Sequence, residues 1–389
     1  MIFNEYCVII VVKNLKGWSN MFKYLMPTKV IAGENAVRSN ANELILGKKC
    51  MIVTGRTSGE RSGALADVTA ELDLRGIEYK IYNRVSNNPT IEETAEGGAI
   101  AREFGCDFLI GIGGGSPLDA CKAIAVYATN PPSESGDFKL YDIFSGNYKN
   151  KPLPMAAIPT TAGTGSETTP YSILTLHKEE TKRSFSSPDT FYKVAFIDGR
   201  YTVGLPIQIA RNTAIDAMSH LLEGYTNKRA SAASDYIALE GLRIIGKHID
   251  VIKNGNFTVD LCTDLLWAAS LGGIVISQTG TTIVHSMGYA LTYYHDIPHG
   301  MANGLLLGEY LDRTKDVLPE KTTEYERALN MSLEELKTFF KECLPCDTSF
   351  DEKTFYNWAC KSIEAKNVPT CPFDITLSDE FEMYKKCLL

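Results

Sequence analysis

Four side chains that can bind a metal ion are clustered in the second half of the chain. The sequence has six histidines, and five of them fall between residues 220 and 299. Asp216 and His220 are four residues apart in a helical pattern, so their side chains share one helical face. Together with His285 and His299 they form a ligand set that suits zinc or iron(II). The alternative is that these are unrelated polar residues of the core or surface. That explanation would be preferred for a single Asp/His pair, but the clustering of the few histidines favours a metal site.

A run of three glycines after an apolar strand pattern is a candidate phosphate site. Ser116 is predicted to cap the following helix, with Pro117 at its first position, and Asp119 can cap free amides. The backbone amides of Gly114 and Gly115 could approach an anion at the helix N-terminus. The pattern is not the usual G-x-G-x-x-G dinucleotide fingerprint, and a simple strand-to-helix turn is the alternative.

A second loop, at residues 158–167, is rich in hydroxyl groups and glycine. Its hydroxyl groups could form hydrogen bonds with a ribose, a nicotinamide or a phosphate; they belong to Thr160, Thr161, Thr164 and Ser166. The same composition equally fits an ordinary Ser/Thr/Gly turn, so the loop is a cofactor candidate only in combination with other motifs.

The elements that must position these loops alternate in the first half of the chain. Strand patterns cover residues 49–54, 78–82, 107–112 and 155–158, and helical patterns cover residues 64–75, 91–104 and 117–127. Such alternation predicts βαβ units in a parallel sheet, with ligands bound at the carboxyl ends of the strands.

Helical patterns dominate from about residue 206 onwards. They cover residues 207–223, 231–247, 260–277, 304–311 and 333–342. We therefore predict an α/β dinucleotide-binding domain at residues 23–203 and an all-α, metal-binding C-terminal domain at residues 204–389. Residues 1–22 are predicted to be an N-terminal extension, with Met21 as an alternative start.

Length and composition indicate a soluble enzyme. A chain of 389 residues is longer than a single hydrophobic core usually supports, so two domains are expected. The net charge of −8 without a basic face argues against nucleic-acid binding, and the apolar run at residues 7–12 is too short to cross a membrane. Ten cysteines without framework spacing, and no signal peptide, predict reduced thiols in the cytoplasm.

The three motifs together resemble the iron-containing (group III) alcohol dehydrogenase family. Residues 113–124 match its Gly-Gly-Gly-Ser-x-x-Asp-x-x-Lys motif, and residues 159–167 match its cofactor-contacting loop. The aspartate and histidines match its metal set in order and spacing. The resemblance covers roughly residues 23–389 and implies a Rossmann-like, dehydroquinate-synthase-like parallel-sheet domain followed by a helical domain.

The resemblance also implies a role for each matched residue. The ligands of Fe²⁺ or Zn²⁺ would be Asp216, His220, His285 and His299. The cofactor pyrophosphate would rest on Gly114, Gly115 and Ser116, with Asp119 supporting the turn. The nicotinamide half would contact Thr160, Thr161, Thr164 and Ser166, and Lys182 would reach the cofactor ribose.

One position departs from the family pattern. Many relatives carry a histidine four residues after the first of the late pair, where this chain has Tyr289. A histidine there is often assigned to proton relay or substrate contact, so Tyr289 and the nearby His295 are candidates for that role. His295 could instead be a solvated loop residue.

The implied activity is reversible hydride transfer between a small primary alcohol or aldehyde and a nicotinamide cofactor. We expect a homodimer or a higher homo-oligomer, with no nucleic-acid or membrane partner. Three alternatives stay open: a glycerol-dehydrogenase-like polyol dehydrogenase, a dehydroquinate-synthase-like lyase, and a non-enzymatic nucleotide-binding module.

The residues after the first predicted strand bear on the choice of cofactor. Family members that prefer NAD often have an aspartate at the position of Gly55, where the adenosine ribose should lie. Gly55 removes the charge that would repel a 2′-phosphate, and Arg56 and Ser58 could bind that group. We therefore predict NADP(H) over NAD(H), against the alternative of a solvated turn.

Overall fold

The computed structural model describes residues 21–133, 136–146, 148–346 and 348–388. A parallel sheet with flanking helices forms the first part of the chain, and helices form the second part. This arrangement confirms the predicted fold class. The predicted N-terminal extension at residues 1–22 lies almost wholly outside the described residues.

The strands are short and nearly all belong to one sheet. They are β1 (Lys29–Ala32), β2 (Lys49–Gly55), β3 (Glu78–Val85), β4 (Phe108–Gly113), β5 (Met155–Pro159), β6 (Ser172–Leu176), β7 (Thr181–Phe185) and β8 (Val194–Ile197). The parallel sheet has the order β1-β8-β5-β4-β2-β3, whereas β6 and β7 form an antiparallel hairpin. Four strands were absent from the sequence prediction, namely β1, β6, β7 and β8. All four are only four or five residues long, and β1, β6 and β7 also contain polar residues.

The helices of the first part are α1 (Ala36–Ser39), α2 (Ala41–Leu44), α3 (Ser58–Arg61), α4 (Ala64–Leu74), α5 (Ile91–Phe104) and α6 (Gly115–Thr129). Helix α5 has the predicted bounds because both of its ends carry strong local signals. Thr90 and Glu93 form a capping box at its start, and Gly105 ends it with a φ of 76°.

Alternating side chains of the central strands build a hydrophobic core on each face of the sheet. In β2, Cys50 and Ile52 belong to the core that contains residues of α4. Met51 and Val53 belong to the opposite core, which contains residues of α6. Helices therefore cover both faces, and ligands can approach the sheet only at the ends of its strands.

The helices of the second part are α7 (Ile207–Thr226), α8 (Ala232–Lys247), α9 (Ile249–Asn254), α10 (Val259–Thr279), α11 (Ile283–His295), α12 (His299–Val317), α13 (Pro319–Leu329), α14 (Leu333–Cys343), α15 (Glu352–Ser362) and α16 (Leu377–Leu388). The helical second part was predicted, whereas α9, α11, α13, α15 and α16 were not. The boundary between residues 203 and 204 stays a prediction.

Helix α12 starts five residues before the predicted helix at residues 304–311. Asp296 ends α11 with a φ of 52°, and Pro298 immediately precedes α12. This tight turn between the two helices lets α11 and α12 contact each other, and both carry predicted metal ligands.

Within the described residues, α10 is long and apolar enough to cross a membrane by composition. However, 67% of its most apolar window is buried inside the protein, and it packs on α7 and α8. A buried core helix of a globular protein has these same properties.

Candidate metal and cofactor site

Three helices bring the four predicted metal ligands together. Asp216 and His220 lie one turn apart on α7, His285 lies in the first turn of α11, and His299 begins α12. The ligand atoms of Asp216, His220 and His285 all lie within 4.8 Å of one another. His299 Nε2 lies 4.0 Å from Asp216 Oδ1, so the fourth residue joins the same cluster.

The donor atoms of this cluster fit a cation. The Nε2 atoms of His220 and His285 are 2.9 Å apart. His285 Nδ1 contacts the Glu223 carboxylate, and the other ring nitrogen, Nε2, faces the cluster. Two ring nitrogens that face each other at this distance require a shared proton or a cation between them.

The charges of the cluster also suit a metal. Burial lowers the pKa of His220 to about 4 and that of His299 to about 3, although Asp216 opposes both shifts. Burial would raise the pKa of Asp216, but the three histidines hold it below its usual value. Neutral imidazoles and an ionised carboxylate are the forms that bind a metal. His285 differs from the other two histidines, because burial would lower its pKa but Glu223 raises it above its usual value.

Sequence reasoning missed two residues of this cluster, Glu223 and Asn303. Asn303 Nδ2 lies 3.1 Å from Asp216 Oδ1 and His285 Nε2, and 3.2 Å from His299 Nε2. Glu223 is three residues after His220, and Asn303 is four residues after His299. Those helical spacings were a usable signal, because residues three or four apart share a face.

Three neighbouring strands deliver the predicted cofactor loops to one edge of the sheet. Thr54 at the end of β2 pairs with Ile112 of β4, and Gly113 pairs with Pro159 of β5. The loops that follow β2, β4 and β5 therefore meet at the carboxyl edge, as predicted from the βαβ pattern.

The start of α6 differs from the prediction. The helix begins at Gly115 with Gly114 as its N-cap, so neither the Ser116 cap nor Pro117 at the first position is correct. Gly113, with a φ of 148°, turns the chain early enough for Gly115 to enter the helix. The Ser116 hydroxyl instead accepts a hydrogen bond of 3.1 Å from the amide of Asn88.

Asp119 holds the loop after β5 and caps no amide of α6. Its carboxylate accepts hydrogen bonds from Ser166 Oγ at 2.6 Å and from the Ile173 amide at 2.9 Å. Lys122 Nζ lies 3.7 Å from the same carboxylate and donates to Ser166 Oγ at 2.8 Å. Ser166 is therefore engaged within the protein.

The loop after β5 packs closely on the glycine turn. The Thr160 amide donates to the carbonyl of Gly113 at 2.9 Å. A Cβ atom added to Gly114 would lie 2.9 Å from Thr161 Oγ1, and one added to Gly115 would lie 2.7 Å from Thr164 Cγ2. The backbone at this turn stays accessible only while these positions are glycine.

One cavity of about 650 Å³ connects the glycine turn with the metal cluster. Its lining includes ten residues predicted to be functional: Gly115, Ser116, Asp119, Thr164, Ser166, Lys182, His220, His285, Tyr289 and His299. The remaining cofactor candidates lie outside this lining, namely Gly55, Arg56, Ser58, Gly114, Thr160 and Thr161.

Lys182 lies on β7 and donates a hydrogen bond of 2.8 Å to Asn88 Oδ1. Burial lowers the pKa of Lys182 to about 8, although Asp296 and Asp119 oppose the shift. The amine is therefore mostly protonated at neutral pH and can donate to a ligand in the cavity.

The two candidates for proton relay occupy different surroundings. Tyr289 lines the cavity, and its ring stacks on His299 with centroids 5.8 Å apart. His295 is exposed at the end of α11. Its ring centroid lies 4.7 Å from that of Phe350 and 5.4 Å from that of Trp358. The structure therefore brings Tyr289 into the site and leaves His295 outside the cavity lining.

The segment after β2 is open towards solvent at Arg56. A Cβ atom added to Gly55 would lie 2.8 Å from Ser58 Oγ and 3.7 Å from Pro117 Cγ. Gly55 thus lies beside the first turn of α6, where the predicted phosphate site begins.

The comparisons with known proteins agree with this geometry. Residues 27–199 match the profile described as iron-containing alcohol dehydrogenase, and residues 210–344 match that of the Fe-containing alcohol dehydrogenase family, C-terminal. Lactaldehyde reductase of Escherichia coli (strain K12) is 35% identical over 290 residues, which are 74% of each chain. NADPH-dependent butanol dehydrogenase of Clostridium saccharobutylicum is 30% identical over 74% of this chain and 72% of that one.

A solved structure shares the whole architecture. An iron-containing alcohol dehydrogenase from Thermotoga maritima superposes with a TM-score of 0.86 at 34% identity, over 95% of this chain and 99% of that one. Both halves of the chain thus match one family in sequence and in fold. The chain belongs to the iron-containing alcohol dehydrogenase family, whose members are metal- and nicotinamide-dependent oxidoreductases of alcohols and aldehydes.

Proposed function

We propose that Asp216, His220, His285 and His299 hold Fe²⁺ and that the adjoining cavity holds the nicotinamide and a small primary alcohol or aldehyde. The observation that carries this proposal is the convergence of one carboxylate and three imidazoles beside a cavity that reaches the glycine turn. When bound, the metal would lower the pKa of an alcohol or polarise a carbonyl, and the cofactor would carry the hydride.

The residues at the other end of the cavity would bind the cofactor. Gly115 and Ser116 line the cavity and begin α6, and Gly114 is its N-cap, so their amides lie at a helix N-terminus that favours the pyrophosphate. Lys182 and Thr164 line the same cavity and can donate hydrogen bonds to the ribose and nicotinamide half. Thr160 and Thr161 would act by holding the glycine turn in place.

Tyr289 takes the relay position in this proposal, and His295 does not. Burial raises the pKa of Tyr289, so the phenol stays protonated and donates a hydrogen bond instead of accepting a proton. It would orient the oxygen of the substrate next to His299. Replacement by phenylalanine should therefore lower turnover without removing the metal.

We assign NADP(H) as the preferred cofactor. Gly55 offers no carboxylate to repel a 2′-phosphate, and the exposed Arg56 can pair with one. The butanol dehydrogenase relative is named as NADPH-dependent, but the solved relatives include one in complex with NAD⁺, so the assignment rests on Gly55 and Arg56.

We also propose a cytoplasmic homodimer or higher homo-oligomer. Nine cysteines of the described residues are free, which suits a reducing compartment. Light scattering of the purified protein would give the oligomeric state directly.

The decisive experiment combines metal analysis with a substrate panel. Anaerobically purified protein should contain iron and should reduce small aldehydes with NADPH more efficiently than with NADH. Chelation should abolish turnover, added Fe²⁺ should restore it, and cofactor binding should survive chelation. Cofactor binding without metal-dependent turnover would instead support a binding module, and a reaction without net cofactor oxidation or reduction would support a lyase.

A further inference from the structure

Glu223 is a buried carboxylate next to the metal cluster. It has no solvent-exposed surface and lies on α7, seven residues after Asp216 and three after His220. These spacings place all three side chains on one face of the helix. A buried carboxylate is costly unless it is paired, and among the described residues the ion-pair partner of Glu223 is His285.

Both oxygens of Glu223 accept hydrogen bonds from α11 or the residue before it. Oε1 accepts from the Thr282 amide at 2.8 Å and from Thr282 Oγ1 at 2.5 Å. Oε2 accepts from Nδ1 of His285. Since Thr282 directly precedes α11 and His285 lies in its first turn, one carboxylate connects α7 to the start of α11 and to a proposed ligand.

We infer that Glu223 is a positioning residue for the metal: its carboxylate keeps the proton of His285 on Nδ1 and leaves Nε2 free to bind. This inference rests on the proposed metal set. The Nε2 atom of His285 lies 2.9 Å from that of His220, inside the cluster, so the tautomer matters directly for binding. A carboxylate behind an imidazole also makes the ring a stronger ligand.

The negative charge of Glu223 adds to that of Asp216. Asp216 is the one carboxylate among the four proposed ligands. A divalent ion bound by these four residues would therefore leave the site with a net positive charge. Glu223 supplies a second negative charge through the imidazole of His285. Its removal should weaken metal binding strongly while leaving the cofactor end of the cavity unchanged.

The test compares metal affinity in Glu223→Gln, Thr282→Val and Glu380→Gln by chelator competition with Zn²⁺ and, anaerobically, with Fe²⁺. Glu223→Gln should bind metal about 10–100-fold more weakly than the wild type. Thr282→Val removes one hydroxyl donor but keeps the carboxylate on His285, so its loss should be much smaller. Glu380 is equally buried and bonds to Ser362, so Glu380→Gln controls for the loss of a buried carboxyl group elsewhere.

A second measurement does not depend on variants. In the Zn²⁺-loaded wild type, ¹⁵N NMR of the histidine rings should show His285 protonated at Nδ1 and bound through Nε2. Protonation at Nε2, or wild-type affinity in folded Glu223→Gln, would overturn the role of Glu223. A wild type that binds no stoichiometric metal would overturn the metal set itself, so the two failures are distinguishable.

Discussion

Several side chains of the metal cluster are buried with incomplete hydrogen bonding. His220 Nδ1, His299 Nδ1 and Asn303 Oδ1 have no hydrogen-bond partner in the described part of the chain. An unsatisfied buried polar group costs about 1–3 kcal/mol. A metal bound at the Nε2 atoms would leave these groups unsatisfied, so its own bonds to the ligands would have to stabilise the site, and the protein should gain stability when a metal binds.

Removal of a single imidazole should therefore empty the site. We expect His285→Ala or His299→Ala to lose most bound metal and nearly all turnover while the fold survives, as measured by metal content, kcat and circular dichroism. His248→Ala is the matched control, because His248 pairs with Asp264 and lies outside the cluster. Full metal occupancy and activity in either variant would show that the residue is not a ligand.

The cofactor preference also depends on one residue. Gly55→Asp should selectively lower kcat/KM for NADP(H), because a carboxylate there would repel the 2′-phosphate and accept ribose hydroxyls. The added Cβ would be 2.8 Å from Ser58 Oγ, the end of a short side chain on a small helix, which can rotate. A wild type that favours NAD(H), or an unchanged preference in the variant, would refute the assignment.

At the level of elements, the phosphate site is the junction of β4 and α6 with the loop after β5. Gly113, with a φ of 148°, lets the chain pass from β4 into α6 through a short turn. Thr161 and Thr164 of the loop after β5 lie against Gly114 and Gly115 of this turn. The amides at the start of α6 are thus held in place before any cofactor arrives.

A larger side chain in this turn should separate the two loops. Gly115→Val should abolish cofactor binding, because its Cβ would lie 2.7 Å from Thr164 Cγ2 and its methyl groups would occupy the anion position. Gly204→Val is the control, since nothing lies within 4 Å of its added Cβ. Cofactor fluorescence titration measures the effect, and undiminished affinity in folded Gly115→Val would disprove the phosphate role.

At the scale of the whole molecule, the sheet part and the helical part meet through a close backbone contact. A Cβ atom added to Gly273 of α10 would lie 2.3 Å from the carbonyl oxygen of Gly165, in the loop after β5. Thr168 Oγ1 donates to the Ser270 carbonyl at 2.8 Å beside it. This contact sets the cofactor loop against α10, which packs on the ligand-bearing helix α7.

A side chain that forces Gly273 and Gly165 apart should affect both stability and catalysis. Gly273→Ala should destabilise the protein by about 1–3 kcal/mol through overpacking and should also lower kcat, because the nicotinamide and metal ends of the cavity shift apart. Gly308→Ala on α12 is the control, as its added Cβ would meet only the flexible Lys337 side chain, at 3.2 Å. Equal unfolding curves and turnover for the two variants would contradict the proposed coupling.

Local patterns were sufficient for the elements whose signals lie within a few residues. The predicted bounds of α5 were correct, and the structure has local end signals there in Thr90, Glu93 and Gly105. The motifs around Gly114 and Asp216 indicated the family and the fold class. The start of α6 was predicted two residues too late, because the sequence pattern did not reveal that Gly113 adopts a φ of 148° and lets the helix begin at Gly115.

Features that join distant parts of the chain became evident only in the folded protein. Strand β1 pairs with β8 from the other end of the α/β part, and each is too short to show a pattern of its own. The spacing of Glu223 and Asn303 puts each on a ligand-bearing helix face, but their partners lie on other helices. Side-chain identity and periodicity are local properties, whereas the distance between α7, α11 and α12 results from core packing over the whole helical part. The sequence was therefore sufficient to predict which residues could bind the metal and the cofactor, whereas their convergence on one site depended on the tertiary fold.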